Sequence, residues 1–181
     1  PFTALWPLRA EVAGQTKVRL GAQDVHWLER GAFTGEVSAA MLVDAGCSAV
    51  LIGHSERRSL FGETDATVAL KTAAALAAGL QPVVCVGESR SEREAGKMAE
   101  VLNRQVSQAV AGLAADAVGR LVFAYEPVWA IGTGLAAAAA DAVAAAGTIR
   151  DALPAQVREA VRVLYGGSVK TENVADFMRQ P

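Results

Sequence analysis

The chain has 181 residues, 52% hydrophobic and 20% charged, with a formal net charge of −2. That length fits a single domain, residues 1–181, with enough apolar side chains for a sizeable core. The near-neutral balance gives no reason to expect a nucleic acid or an anionic membrane as partner, and no apolar run approaches the roughly 18 residues of a membrane span.

Two cysteines, Cys47 and Cys85, stand 38 positions apart without a CxxC pair or a histidine cluster. The pattern points to buried structural thiols in a reducing, cytoplasmic setting, and away from a disulfide framework or a metal site. No secretory signal is visible. The first residue is Pro1 and not Met, so the natural start is expected to lie outside this sequence.

Residues 1–16 read as a loop followed by an irregular helical piece. Lys17 to Gln23 alternates at its start and predicts a first strand. A polar, glycine-rich loop follows from Asp24 to Glu36. Ser38 caps a short helix to about Ala45, ended by Gly46. Cys47 to Gly53 is continuously apolar, as a parallel strand covered on both faces should be. His54-Ser55-Glu56-Arg57-Arg58 follows at once and so stands at a strand C-terminus. Thr64 or Asp65 opens a helix to about Ala78, with apolar positions at Val68, Leu70, Ala73, Ala74 and Leu76. Gln81 to Val86 predicts a third strand, ended by Gly87-Glu88-Ser89. A charged segment, Ser91 to Gly96, leads into a helix from about Met98 to Ala115.

Arg120 to Tyr125 is the fourth strand and runs into Glu126-Pro127-Val128-Trp129, then Gly132-Thr133-Gly134. Pro127 pushes Glu126 towards extended geometry and stops further pairing. A carboxylate followed by a stiff segment and two glycines looks like a base beside a hinged lid; a plain loop with a solvated glutamate stays open at this point. An alanine-rich helix is predicted over 138–152. Ala160 to Tyr165 is the fifth strand, ended by Gly166-Gly167-Ser168, and Thr171 is placed as the cap of a last helix towards Met178.

Strand–helix alternation repeated five times argues an α/β fold with a parallel sheet and helices outside it. An open doubly wound sheet and a closed (β/α)8 barrel both remain. The barrel takes eight strands and about 250 residues, so three strands are unaccounted for. No dinucleotide fingerprint opens any helix, which weakens the open sheet.

Three strand ends carry chemistry. The second has His54 and Glu56, the fourth has Glu126, and the fifth has Gly166-Gly167-Ser168. Parallel strands end on one side, so such groups can share a site. A carboxylate and an imidazole suit proton transfer beside a carbonyl, and close backbone N–H groups suit a phosphate. Bland readings stand beside these. His54 as a structural histidine, Glu56-Arg57-Arg58 as a solvated charge run and Ser89 to Glu94 as a surface network all remain open; His26, in a polar loop, is given no role.

Four segments then carry a resemblance: Gly31-Ala32-Phe33-Thr34-Gly35-Glu36, Gly53-His54-Ser55-Glu56-Arg57-Arg58, Ala124 to Gly134, and Tyr165-Gly166-Gly167-Ser168-Val169. In this order and spacing, over about residues 17–180, the sequence resembles the triosephosphate isomerases. The resemblance implies a (β/α)8 TIM barrel of which about five of eight βα units are present. It implies interconversion of dihydroxyacetone phosphate and D-glyceraldehyde 3-phosphate through an enediol, in glycolysis and gluconeogenesis, with neither metal nor cofactor. Glu126 becomes the base and His54 the electrophile, as a neutral imidazole. Gly132, Ser168, Gly166 and Gly167 fall against the substrate phosphate, and residues 127–133 form the lid.

The resemblance also makes Glu56 a buried carboxylate behind the site and Ser55 the cap of the same turn. The loop with Phe33 and Thr34 reaches into a neighbouring subunit, so a homodimer is implied. No counterpart of the family's Asn-x-Lys strand or of its late Gly-Gly strand is found, so the first two strands and the last are expected to be absent. Where relatives usually carry polar residues and a proline after the lid, this chain has Leu135 and five alanines, from which no function follows. The alternative is a phosphate-binding barrel fragment that is inactive, or one that acts on another phosphosugar.

Overall fold

The computed structural model describes residues 1–131 and 137–180. They divide into two compact units, Pro1–Val84 and Cys85–Pro181. The first unit holds α1 (Phe2–Glu11), β1 (Leu20–Ala22), α2 (Ala39–Asp44), β2 (Cys47–Ile52), α3 (Ser55–Leu60), α4 (Asp65–Ala77) and the start of β3 (Gln81–Val86). The second holds the end of β3, α5 (Arg90–Glu94), α6 (Met98–Ala109), α7 (Ala115–Val118), β4 (Val122–Tyr125), a 3-10 turn (Val128–Ala130), α8 (Ala139–Asp151), β5 (Arg162–Tyr165) and α9 (Val174–Met178).

Within each unit the strands pair in parallel. In the first unit β1 lies beside β2, with Leu20 opposite Cys47, and β2 beside β3, with Ala49 opposite Gln81 and Ile52 opposite Val84. In the second, Val122 faces Arg162 and Tyr125 faces Tyr165 across β4 and β5. Parallel strands need crossovers, and the helices between them supply these while covering the sheet. Val50, Ile52, Val68 and Val84 are fully buried in the first unit, as are Leu102, Val106, Phe123 and Ile149 in the second. Each such side chain contributes about 1.5–3 kcal/mol through burial.

The helix starts follow local chemistry. Ser38 accepts the N–H of Met41, and Thr64 and Thr67 form a reciprocal capping box at α4. Ser89 and Glu92 do the same at α5. In α6 the buried residues are Val101, Leu102, Gln105, Val106 and Ala109, a single stripe at helical spacing. No helix among the described residues is long and apolar enough to cross a membrane.

Several elements differ from the sequence expectation. The first sixteen residues hold a regular helix, α1; its Phe2, Trp6 and Leu8 are exposed and only Leu5 is buried, so no apolar stripe announced it. The first strand is three residues long, with a register shift after Leu20. The helix expected over 98–115 ends at Ala109, with Val110 as its C-cap; Gly112 at φ +75° lies in the turn that follows, before α7. Thr171 does not cap the last helix. The N-cap is Asn173, whose side-chain oxygen accepts the Lys170 N–H at 2.7 Å, and the Thr171 hydroxyl donates to Glu172 instead.

Candidate active site

His54 stands directly after β2, and the chain around it is held from several directions. Gly53 takes a left-handed φ of +76°, which turns the strand sharply into α3. Its N–H donates to Glu63 Oε1 at 2.9 Å, and its carbonyl accepts from Arg58 Nε at 2.8 Å. His54 is itself the N-cap of α3: Nδ1 accepts the Glu56 N–H at 3.3 Å. This is the contact made by an imidazole whose Nδ1 is the acceptor and whose Nε2 is the donor. A cavity of about 520 Å³ opens beside His54, lined also by Gln23, Asp24, Leu51, Glu56 and Arg57.

Behind the turn lies a buried cluster of four charges. Lys71 Nζ donates to Asp24 at 2.6 Å and to Glu63 at 2.9 Å, and Arg57 Nε lies 2.9 Å from both carboxylates. Burial alone would raise the Glu63 pKa. Hydrogen bonds and charge from Lys71, then Arg57 and the Gly53 N–H, outweigh it and hold Glu63 below its ordinary value.

Glu126 follows β4 and is 4% exposed. Its N–H donates to Val86 O at 2.8 Å, and the preceding carbonyl, Tyr125 O, accepts the Gly166 N–H at 2.7 Å. A Cβ on Gly87 would stand 1.8 Å from Glu126 O, and one on Gly166 would meet Tyr125 O at 3.1 Å and Glu126 Cγ at 3.2 Å. Glycine backbone therefore presses on the glutamate from two sides. Next to it, the Tyr125 hydroxyl donates to the fully buried Glu88 at 3.0 Å. Burial, then the Glu88 charge, pushes the phenol well above its ordinary pKa, so it stays a neutral donor. Arg93 pairs with Asp141, reaches Glu88 at 3.5 Å and lies 5.0 Å over the Trp129 ring. Burial would lower the guanidinium pKa, but Asp141 raises it overall.

The expected site residues fall out as follows. Ser55 does not cap the turn; it is the buried first residue of α3, and His54 does the capping. Glu56 is not buried: its side chain is 72% exposed, with the carboxylate 3.9 Å from His54 Nδ1, because it points outward from the first turn of α3. Arg57 and Arg58 are no solvated run. Each is tied to carboxylates, Arg58 to Asp65 at 2.6 Å. His26 is buried, stacked on Trp27 and packed on Phe33. The Ser89 to Glu94 segment carries a capping box and the exposed Arg90–Glu94 pair, while Arg93 turns to Glu88 and Asp141. Both cysteines are buried. Ser168 is exposed, with its carbonyl accepting from Asn173 at 3.2 Å. Gly132 and Thr133, the last two residues of the expected lid, lie outside the described residues.

Sequence reading passed over Asp24, Glu63, Lys71 and Gln105. Lys71 and Gln105 carried a signal: each sits in a buried helical stripe, Lys71 with Val68, Thr72 and Ala75 and Gln105 with Val101, Leu102 and Val106, where a polar group must be paired.

With the geometry in place, known proteins can be set beside it. The family model described as Triosephosphate isomerase matches residues 1–181. The triosephosphate isomerase of Geobacter metallireducens is 52% identical over 184 residues, covering 99% of this chain and 73% of that protein. That of Moorella thermoacetica is also 52% identical, covering 100% of this chain and 74% of the relative. The crystal structure of triosephosphate isomerase from Bartonella henselae superposes with a TM-score of 0.86 at 36% identity, over 97% of this chain and 71% of that one. The fold is thus the α/β TIM barrel, of which the described residues carry five parallel strands. Matched from first residue to last by the family's sequence model and half identical to its members, the chain belongs to the triosephosphate isomerase family.

Proposed function

We propose that the activity of this chain is that of its family, the interconversion of dihydroxyacetone phosphate and D-glyceraldehyde 3-phosphate. The observation that carries this reading is the family match across residues 1–181. Glu126 is the base that takes a proton from the carbon beside the carbonyl and returns it to the neighbouring carbon. His54 donates from Nε2 to the developing oxyanion; the Nδ1 contact with the Glu56 N–H supports that direction of donation. Gly166, Gly167, Ser168 and Gly132 receive the phosphate. Ser55 and Glu56 support the His54 turn through the first turn of α3.

A coupled isomerase assay on the purified protein tests the reading. Glu126→Gln should lower kcat by about two to four powers of ten with KM within a few-fold, since the base acts in the transition state. His54→Gln should lower kcat by about a hundredfold or more. Near-normal turnover in the first variant removes Glu126 as base. A wild-type protein with no rate above the buffer control favours the inactive phosphate-binding alternative.

The family reading also includes one domain over residues 1–181, a homodimer and a cytoplasmic place. The dimer is supported by Phe33, 39% exposed on its loop with the exposed Thr34 beside it. Phe33→Asp should shift sedimentation to a monomer. Two buried cysteines with no CxxC spacing support a reducing compartment, which cell fractionation would check.

A further inference from the structure

Gln105 is a buried polar residue that the proposed chemistry does not use. It sits in the apolar stripe of α6, 6% exposed, among Val101, Leu102, Val106 and Ala109. A carboxamide there costs free energy unless both of its ends are bonded. Both are, and to one residue: Oε1 accepts the Gly87 N–H at 2.8 Å, and Nε2 donates to Gly87 O at 3.3 Å. One side chain thus satisfies both backbone groups of a single residue just past the end of β3, as a neighbouring strand would.

Gly87 is also the residue whose backbone lies hard against Glu126. A Cβ there would fall 1.8 Å from Glu126 O, and the residue before it, Val86, accepts the Glu126 N–H at 2.8 Å. The residue after it, Glu88, accepts from Tyr125, the residue before Glu126. Wherever Gly87 goes, the main chain of Glu126 must follow. We infer that Gln105 is a positioning residue for Glu126, acting through Gly87 to fix where the carboxylate stands. The inference rests on the reading of Glu126 as the base.

Misplacing a reacting group by about 1 Å costs about a hundredfold in rate. Gln105→Met keeps the volume and removes both bonds, leaving the Gly87 N–H and C=O without them. Its kcat should fall about ten- to a hundredfold with KM within about twofold. Gln105→Glu separates positioning from packing. The introduced carboxyl, when protonated, both accepts and donates as the amide does; when ionised it repels Gly87 O. Burial raises its pKa, so kcat should sit near wild type at the acid end of the profile and fall towards the methionine level as pH rises. The wild type lacks that descending limb. Should the methionine variant melt without cooperativity, the glutamate profile reads the same step.

Wild-type kcat in a cooperatively folded Gln105→Met protein, or a Gln105→Glu profile parallel to wild type, overturns the inference. If those results come while Glu126→Gln is inactive, only the positioning role fails. If Glu126→Gln is active, the base assignment fails and the inference with it.

Discussion

At His54 the chain is held by charge, and at Glu126 it is held by shape. The His54 turn is anchored through Gly53 to Glu63 and Arg58, and through Glu63 to Lys71, Arg57 and Asp24, all with the chain's titratable groups. The Glu126 strand end is set by backbone hydrogen bonds, by Gly87 with no room for a methyl group and Gly166 with little, and by the neutral amide of Gln105, while the buried Glu88 meets it only through the neutral Tyr125 hydroxyl. A charge network tolerates small steric change but fails when one partner is lost or protonated. A steric seat is indifferent to pH and intolerant of a single added carbon. The two strand ends should therefore break under different perturbations.

The largest effect is expected at Gly87. Gly87→Ala places a methyl 1.8 Å from Glu126 O, a backbone atom with nowhere to go. The strand end must shift, and kcat should fall by about a hundredfold or more. Gly53→Ala makes the opposite case, since the left-handed φ of +76° is the objection there. Its cost should be about 1–2 kcal/mol of stability, read from urea unfolding, with a smaller loss of turnover. If the two alanine variants lose kcat equally, the contrast between steric and electrostatic anchoring is wrong.

Next comes Lys71→Met. It leaves Asp24 and Glu63 sharing Arg57 alone in a buried site, and should destabilise by about 3–5 kcal/mol. Urea unfolding of this variant should show the loss in the midpoint, with the slope unchanged.

How much of this was legible beforehand depends on how local the cause is. The apolar run of β2 ending in His54, and α4 with its Thr64 start and spaced apolar face, were readable because each is encoded within about fifteen neighbouring residues. The Lys71–Asp24 contact spans 47 residues and the Gln105–Gly87 contact 18, so neither has a sequence signature. The resemblance made Ser55 the cap of the turn, whereas His54 caps it, an imidazole outside the usual set of capping side chains. The placement of α1 was hidden by the exposure of Phe2, Trp6 and Leu8. The strand ends that carry the proposed chemistry were legible; the groups that hold them in place were not.

The pH dependence sharpens the contrast further. Glu63 is held below its ordinary value of 4.5 in the folded state. The unfolded chain therefore binds more protons around that pH, and stability rises with pH there. The Glu63 contribution is present above about pH 4.5 and is lost as pH falls below it, through the lower folded value. In urea midpoints taken from neutral pH downwards, the advantage of wild type over Glu63→Gln should narrow below that point. A constant gap would mean that Glu63 acts by shape, as Gly87 does.

The smallest effect belongs to Thr64, whose hydroxyl accepts the Thr67 N–H at 3.2 Å while Thr67 Oγ1 accepts the Thr64 N–H at 2.9 Å. Thr64→Ala removes half of that box from the helix that delivers Lys71, and should cost about 1 kcal/mol. For a chain of this size that is a fall in Tm of about 2–4 °C. The box is exposed, so water replaces what is lost, and the buried contacts of Lys71 in the middle of α4 keep their geometry. Turnover at a temperature well below Tm should stay at wild-type level. A matching loss of kcat would mean that the His54 turn depends on the helix start as well as on the charges, and the division drawn between the two strand ends would have to include capping.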